Sequence, residues 1–207
     1  MGIPVLILGE SGSGKSTSTR NFDINEVGIF NVASKPLPFR KKLLKIDGAT
    51  YSTIANTLAE PKLKRYVIDD SQYLLCFEMF KTAKETGYNK FTDMALHFYN
   101  LIQYIIKNTP DDVIVYFLHH TETTADGKIK AKTIGKMLDE KLTVEGLFSI
   151  VLLCQNDGIN HKFITQSDGF STAKSPLEMF QKEIDNDLKA VDTAIREYYE
   201  LSESEEK

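Results

Sequence analysis

The segment LGESGSGKST, Leu8 to Thr17, carries the residue types of a phosphate cradle. Gly9, Gly14, Lys15 and Ser16 fit G-x-x-x-x-G-K-[ST], after the apolar run IPVLIL and before a helix-like run, which is the setting this motif requires. Gly9, Gly12 and Gly14 let the backbone take positive φ and approach an anion closely. The N–H groups of Glu10, Ser11, Gly12, Ser13, Gly14, Lys15, Ser16 and Thr17 are then the candidate phosphate contacts, helped by the positive end of the following helix. Lys15 would reach the β- and γ-phosphates, and the Ser16 hydroxyl would be a ligand of Mg²⁺. A glycine- and serine-rich turn before a helix could look similar, but it has no need of a Lys-Ser pair at this place.

Such a cradle calls for a metal-holding carboxylate at the end of a nearby buried strand. YVIDDS supplies Asp69 after Tyr66, Val67 and Ile68, as a Walker B residue on Mg²⁺; a cap on the helix that follows is the other reading. Asp70 is open between orienting the attacking water and capping the helix that begins near Gln72. FLHHTE ends a further strand, and His119, His120, Thr121 and Glu122 compete to face the γ-phosphate. Alternation sends one histidine to the core and the other to the site, with His120 at the loop edge as the candidate. For the same reason the pair is a poor zinc site.

The elements that must position these groups alternate in type. Strands are expected over PVLIL, Val27–Val32, RYVIDD, DVIVYFLHH, FSIVLLC and HKFITQS, and helices over Lys15–Asn21, Tyr51–Glu60, SQYLLCFEMFKTAKETG and FTDMALHFYNLIQYIIKN. A last helix is expected over Glu183–Leu201, then an acidic frayed tail at 202–207. Pro36 and Pro38 mark a loop, and Thr121–Lys132 is expected to be a mobile one. The pattern implies an α/β fold with a mainly parallel sheet in a single domain, residues 1–201.

With 207 residues and 42% hydrophobic content the chain can bury one sizeable core. No run approaches the ~20 apolar residues of a membrane span, and no basic n-region precedes the first strand. A soluble protein of the cytoplasm is expected. Cys76 and Cys154 stand in apolar contexts and read as buried free thiols. The net charge of −4 argues against a wholly basic nucleic-acid surface, leaving RKKLLK (Arg40–Lys45) and PKLKR (Pro61–Arg65) as local basic patches. Only four arginines are present, with none clustered in a lid, which weakens a nucleotide kinase. NKFT at Asn89 lacks the Asp of a guanine reader, so GTP specificity is not supported.

With LGESGSGKST, FNVASKPLPF, YVIDDSQYL, YFLHHTE, KTIGKMLDEKLTVEGLFSIVLLC, HKFITQS and AKSPLEMF in view, the chain resembles the ATP-binding proteins of tailed bacteriophages. These look like RecA-core P-loop ATPases related to phage proteins of single-strand annealing and recombination. The resemblance covers nearly the whole chain. It implies a three-layer α/β/α RecA-like sheet with the sensor strand (Val113–Leu118) between the P-loop and Walker B strands. It implies ATP with Mg²⁺, assembly as a homo-oligomeric ring or filament, and work in the host cytoplasm beside a phage replication or annealing protein. It supports Lys15 and Ser16 on phosphate and metal, Asp69 as Walker B and His120 as sensor. RecA-type ATPases commonly carry a catalytic Glu at the end of the second strand. FNVASKP has no acid there and Lys35 instead, which leaves Asp70 as a substitute base, or a slow ATPase. Lys162 and Lys174 are the candidates for a residue lent to the neighbouring subunit's site. Lys128, Lys130 and Lys132, after the sensor strand, stand where RecA-like proteins contact single-stranded DNA. A nucleotide-gated assembly module with little turnover is the rival to the enzyme.

Overall fold

The computed structural model describes residues 1–201; the tail expected at 202–207 lies outside them. The chain is α/β, built on a nine-stranded sheet that is mostly parallel. Its strands are β1 (Ile3–Gly9), β2 (Gly28–Asn31), β3 (Leu44–Asp47), β4 (Arg65–Asp69), β5 (Ile114–Thr123), β6 (Ile129–Ala131), β7 (Ile150–Asn156), β8 (His161–Ile164) and β9 (Glu183–Asp185). They run in the order β3-β2-β4-β5-β1-β7-β8-β9, with β6 hairpinned onto β5. From β3 to β7 every neighbour on this path is parallel, while β7-β8-β9 is antiparallel. The central strands are near-continuous apolar runs because both faces are covered. Alternate residues of β1 feed two apolar clusters. Leu6 and Leu8 join Phe98, Ile102 and Phe117, while Val5 and Ile7 join Phe22, Val191 and Ile195.

The helices are α1 (Tyr51–Ala59), α2 (Gln72–Lys81), α3 (Asn89–Asn108) and α4 (Leu188–Tyr198). α3 buries Met94, Ala95, Phe98, Leu101, Ile102 and Ile105, the stripe a 3.6-residue period produces, and stops before Pro110. Thr50 caps α1 by accepting from Thr53 N–H, and Asp187 caps α4 by accepting from the N–H groups of Lys189 and Ala190. α4 is fastened near the amino-terminal ends of the central strands. Buried Asp192 accepts from Tyr116, Arg65 and Arg196, and Arg196 donates onward to the carbonyls of Asp112 and Lys64. One acid shared by three donors satisfies a charge that would be costly to bury alone.

Several boundaries differ from the expectation. The run after the P-loop is a six-residue 3₁₀ helix, Ser16–Asn21, not an α-helix. Its hydroxyls fold back on the backbone, Ser18 onto the Lys15 carbonyl at 2.6 Å and Thr19 onto that of Ser16 at 2.8 Å, the competition that makes such residues poor helix formers. β3 begins inside the segment Arg40–Lys45, whose charges read as a basic patch. It is exposed along its length, so it shows no alternation. β9 and Asp187 occupy the expected start of the last helix, which begins only at Leu188. α2 ends at Lys81 rather than at Gly87. The segment Thr121–Lys132, expected to be a mobile loop, is mostly a β-hairpin: Thr121, Glu122 and Thr123 pair with Ala131, Lys130 and Ile129. Asp126-Gly127 makes its turn, with Gly127 at φ +81°. Both cysteines are free thiols; Cys154 is buried and Cys76 half-buried.

Candidate nucleotide-binding site

The carboxyl ends of β4, β5 and β1 lie side by side, where an open parallel sheet holds ligands. The loop from Gly9 to Lys15 leaves β1 there, and Gly12 and Gly14 take φ of +80° and +102°. Gly14 is required twice, because a Cβ there would stand 2.7 Å from His161 Nδ1. A Cβ on Gly9 would meet Ser13 Oγ at 2.4 Å and the Cys154 carbonyl at 3.0 Å. The Ser13 carbonyl accepts from His161 Nδ1 at 2.7 Å and from the Cys154 thiol at 3.0 Å. Burial pushes that thiol up to about 11, so it stays protonated. β7 and β8 thereby fix the cradle from outside. Ser13 Oγ itself is buried with no hydrogen-bond partner. A cleft of about 550 Å³ opens beside the loop, lined by Glu10, Ser11, Gly12, Ser13, Thr121 and Gln155 among others.

Lys15 is buried, and its Nζ donates to the carbonyls of Gly9 and Glu10, both at 2.8 Å. Burial lowers its pKa, opposed by the charges of Asp70 and Asp69. Ser16 Oγ donates to Asp69 Oδ1 at 2.7 Å. Asp69 is buried at the end of β4, and burial holds its carboxyl above the ordinary range against the Ser16 hydrogen bond. Because the helix after the loop is only six residues long, the macrodipole expected to help the cradle is small. Backbone N–H groups and Lys15 must do more.

Asp70 is not a helix cap. Ser71 holds the cap position of α2 without a side-chain capping bond, and the Asp70 carboxylate accepts from Lys35 Nζ at 2.7 Å and His120 Nε2 at 3.1 Å. Burial pushes this carboxyl up, but the hydrogen bonds from His120 and Lys35 outweigh it and hold it at about 2. An ionised carboxylate only accepts, so His120 carries its proton on Nε2. Asp70 has φ of +60°, unusual for a residue with a side chain, and this conformation turns it toward Lys35 and His120. The His120 ring stands edge-on to Tyr73, with centroids 5.6 Å apart. His119, the neighbour that alternation sends inward, is fully buried between Ser71 Oγ and the Lys132 carbonyl, each at 2.9 Å. Burial drops it to about 4, so it is neutral at pH 7. Thr121 and Glu122, the competitors for the sensor position, belong to the hairpin, where Glu122 pairs with Lys130 at 3.0 Å.

Of the remaining candidate lysines, Lys162 lines the cleft beside the phosphate loop, and the Lys132 N–H donates to the His120 carbonyl. Lys162 pairs with Glu183 at 2.7 Å on the antiparallel flank, and Lys174 makes a backbone bridge with Val151. Lys128 pairs with Asp126 at 3.4 Å, and Lys130 is held between Glu122 and Asp139. Lys132 follows the hairpin with an exposed side chain. Of the basic patches, Lys41 pairs with Asp23, Lys45 with Asp47, Lys64 with Asp112 and Arg65 with Asp192.

Ser16 and Asp69 fit a site for Mg²⁺, which takes one or two protein oxygens and completes its octahedron with water and substrate phosphates. Among the described residues no three His, Cys, Asp or Glu side chains gather as a metal cage. Two residues of the site escaped sequence reasoning. His161 bears no motif, and its contact with Ser13 spans 148 positions. Lys35 stood out only as the wrong residue for its place. No family model matches the chain, and no curated protein matches it. No helix among the described residues is long and apolar enough to cross a membrane.

Proposed function

We propose that this chain is a Mg²⁺-dependent ATP-binding P-loop NTPase that hydrolyses ATP to ADP and phosphate. The observation that carries the reading is the 2.7 Å contact between Ser16 Oγ and Asp69 Oδ1, which brings the end of the G-x-x-x-x-G-K-S loop against the strand-end acid 53 residues away. Ser16 and Asp69 would hold Mg²⁺, directly or through water, and the ion would supply positive charge beside the phosphates. Lys15 turns from its loop carbonyls to the same phosphates. His120, oriented by Asp70, contacts the terminal phosphoryl group or the attacking water.

The finer architecture proposed is RecA-like, supported by the sensor strand β5 lying between β1 and β4. With it come a ring or filament of identical subunits, a role beside single-stranded DNA in phage replication or recombination, and the host cytoplasm as the place of action. Lys132 is the DNA contact best supported of the three hairpin-region lysines, since Lys128 and Lys130 are paired with acids. Between the two candidates for a trans-acting lysine, the Glu183 pair makes Lys162 the less available.

One observation favours a nucleotide-gated assembly module with slow turnover. Asp70, held at about 2 by His120 and Lys35 against its burial, is a weak base for water. Phosphate release from ATP, with and without single-stranded DNA, separates the two. Turnover that rises with DNA and falls at least a hundredfold in Lys15→Ala supports the enzyme. ATP binding without turnover, lost in Lys15→Ala, supports the module. Phosphorylation of a second nucleotide would identify a kinase instead.

A further inference from the structure

We propose that Lys35 is a cis-acting phosphate contact: its ammonium leaves Asp70 for the terminal phosphoryl group of ATP and neutralises charge there during transfer. The inference rests on the nucleotide-binding reading above and adds a residue that the motif does not contain. It also supplies from within the chain the cation otherwise sought on a neighbouring subunit.

The backbone under Lys35 is fixed. Buried Asn31, at the end of β2 and paired in register with Asp69, donates to the Lys35 carbonyl at 2.7 Å and accepts from its N–H at 3.2 Å. Ser34 N–H is held on the Asn31 carbonyl at 3.3 Å, with Ser34 at φ +55°. This closed loop aims residue 35 back over the strand ends. The side chain, by contrast, is 57% exposed and free to pivot. Among the described residues its ammonium donates to Asp70 Oδ2, at 2.7 Å, and lies over the face of Tyr73, 4.9 Å from the ring centroid. Both lie at the mouth of the site, and its charge is close enough to act on Lys15 and Asp69.

Lys15, Lys35, Asp69 and Asp70 balance to zero charge without ligand. Bound nucleotide brings phosphate oxygens that compete with a single carboxylate contact, part-buried on the Asp70 side and exposed on the Lys35 side, and an ammonium on four rotatable bonds can exchange partners, leaving Asp70 its hydrogen bond from His120. In the step served, water oxygen bonds to the γ-phosphorus as the bond to the β,γ-bridging oxygen breaks. The electron pair leaves with ADP; one water proton goes to the released phosphate and the other to solvent. Lys35 keeps its proton throughout. It acts on charge spread over the phosphoryl oxygens, where cations are worth most. Its departure also leaves Asp70 with His120 alone, and thus a better acceptor for water.

The alternative is that Lys35 only neutralises Asp70. Titration of the full chain with ADP, and with ADP plus aluminium fluoride as a mimic of the transferring phosphoryl, decides between them whether or not turnover is fast. The expected result for Lys35→Ala is ADP affinity within about threefold of wild type, fluoride-complex affinity down at least tenfold, and lower kcat with KM little changed. Lys35→Arg should restore much of the loss, and Lys35→Ala combined with Asp70→Asn should not. Recovery in that double variant, or equal losses for ADP and its fluoride complex, overturns the proposal. If wild type and Lys15→Ala alike bind no nucleotide, the nucleotide reading falls first and takes this one with it.

Discussion

Two corners of the site meet at Asp69-Asp70 and are built in opposite ways. In the first, Gly9 to Ser16 are neighbours in sequence, and their spacing sets out a cradle that Cys154 and His161 hold from outside and against which Asp69 is set. In the second, Lys35, Asp70 and His120 come from the ends of three different strands and share no motif. The first corner is a local structure that the sheet merely supports. The second exists only because β2, β4 and β5 are adjacent and in this register. The P-loop corner should therefore govern whether nucleotide binds, and the assembled corner what happens to it afterwards.

The sharpest way to break this division is Asp69→Asn. It keeps the shape and a hydrogen-bond acceptor for Ser16 but removes the charge proposed to hold Mg²⁺. Loss of a preorganised electrostatic contact of this kind costs about 10²–10³ in turnover. Measured at saturating Mg²⁺, Asp69→Asn should lose that much, whereas Asp70→Asn should bind ATP within about threefold of wild type. Equal losses in binding for the two acids would show that the corners are one unit.

The next effect lies beneath the assembled corner. His119 is held at about 4 by burial, against an ordinary 6.5. Between those values the unfolded chain binds a proton that the folded chain refuses, so stability falls as pH drops from 6.5 to 4. The full swing is on the order of 3 kcal/mol. Denaturant unfolding at pH 7 and pH 4.5 should show it, and His119→Gln, which cannot charge, should flatten that pH dependence. An unchanged slope would mean that His119 accepts its proton in place.

Smaller again is the effect of Gly14→Ala, which tests how local the motif corner is. Its φ of +102° costs an alanine about 1–3 kcal/mol, and the new Cβ meets His161 as well. His161→Ala in the same chain should return only the steric part. Full recovery of stability would mean that the contact with β8, and not the backbone, is what selects glycine there.

How much was legible follows the same division. The buried strands, the cradle, the strand-end acid and the inward and outward histidines could be read because apolar runs, fixed spacing and alternation are local signals. Lys35 could be noticed only as a missing acid, since its partner lies 35 positions away. His161 could not be found at all. β3 and β9 were missed for another reason: four and three residues long, mostly exposed and bearing charge, they have no hydrophobic period and are strands only through their neighbours. Glu145 in VEGLF gives no hint of its place. It is buried, accepting from the Ala131 N–H at 2.7 Å and the Thr172 hydroxyl at 3.2 Å, and so anchors the base of the hairpin.

That hairpin yields the smallest expected effect. Asp126-Gly127 was a turn signal inside a stretch whose lysines drew the eye, and pairing with Asp126, Glu122 and Asp139 consumes the charge of Lys128 and Lys130. Exposed pairs of this kind are worth about 0–1 kcal/mol each, so Lys130→Ala, which removes two, should shift stability by at most about 2 kcal/mol. If the hairpin contacts single-stranded DNA through Lys132, its loss should lower the slope of log affinity against log salt by about 0.7, the share of one released counterion. Lys128→Ala and Lys130→Ala should change that slope far less, because neutralising a phosphate would first require breaking an ion pair. A slope lowered equally by all three variants would mean that the acids let go when DNA arrives, the same exchange of carboxylate for phosphate that is proposed for Lys35.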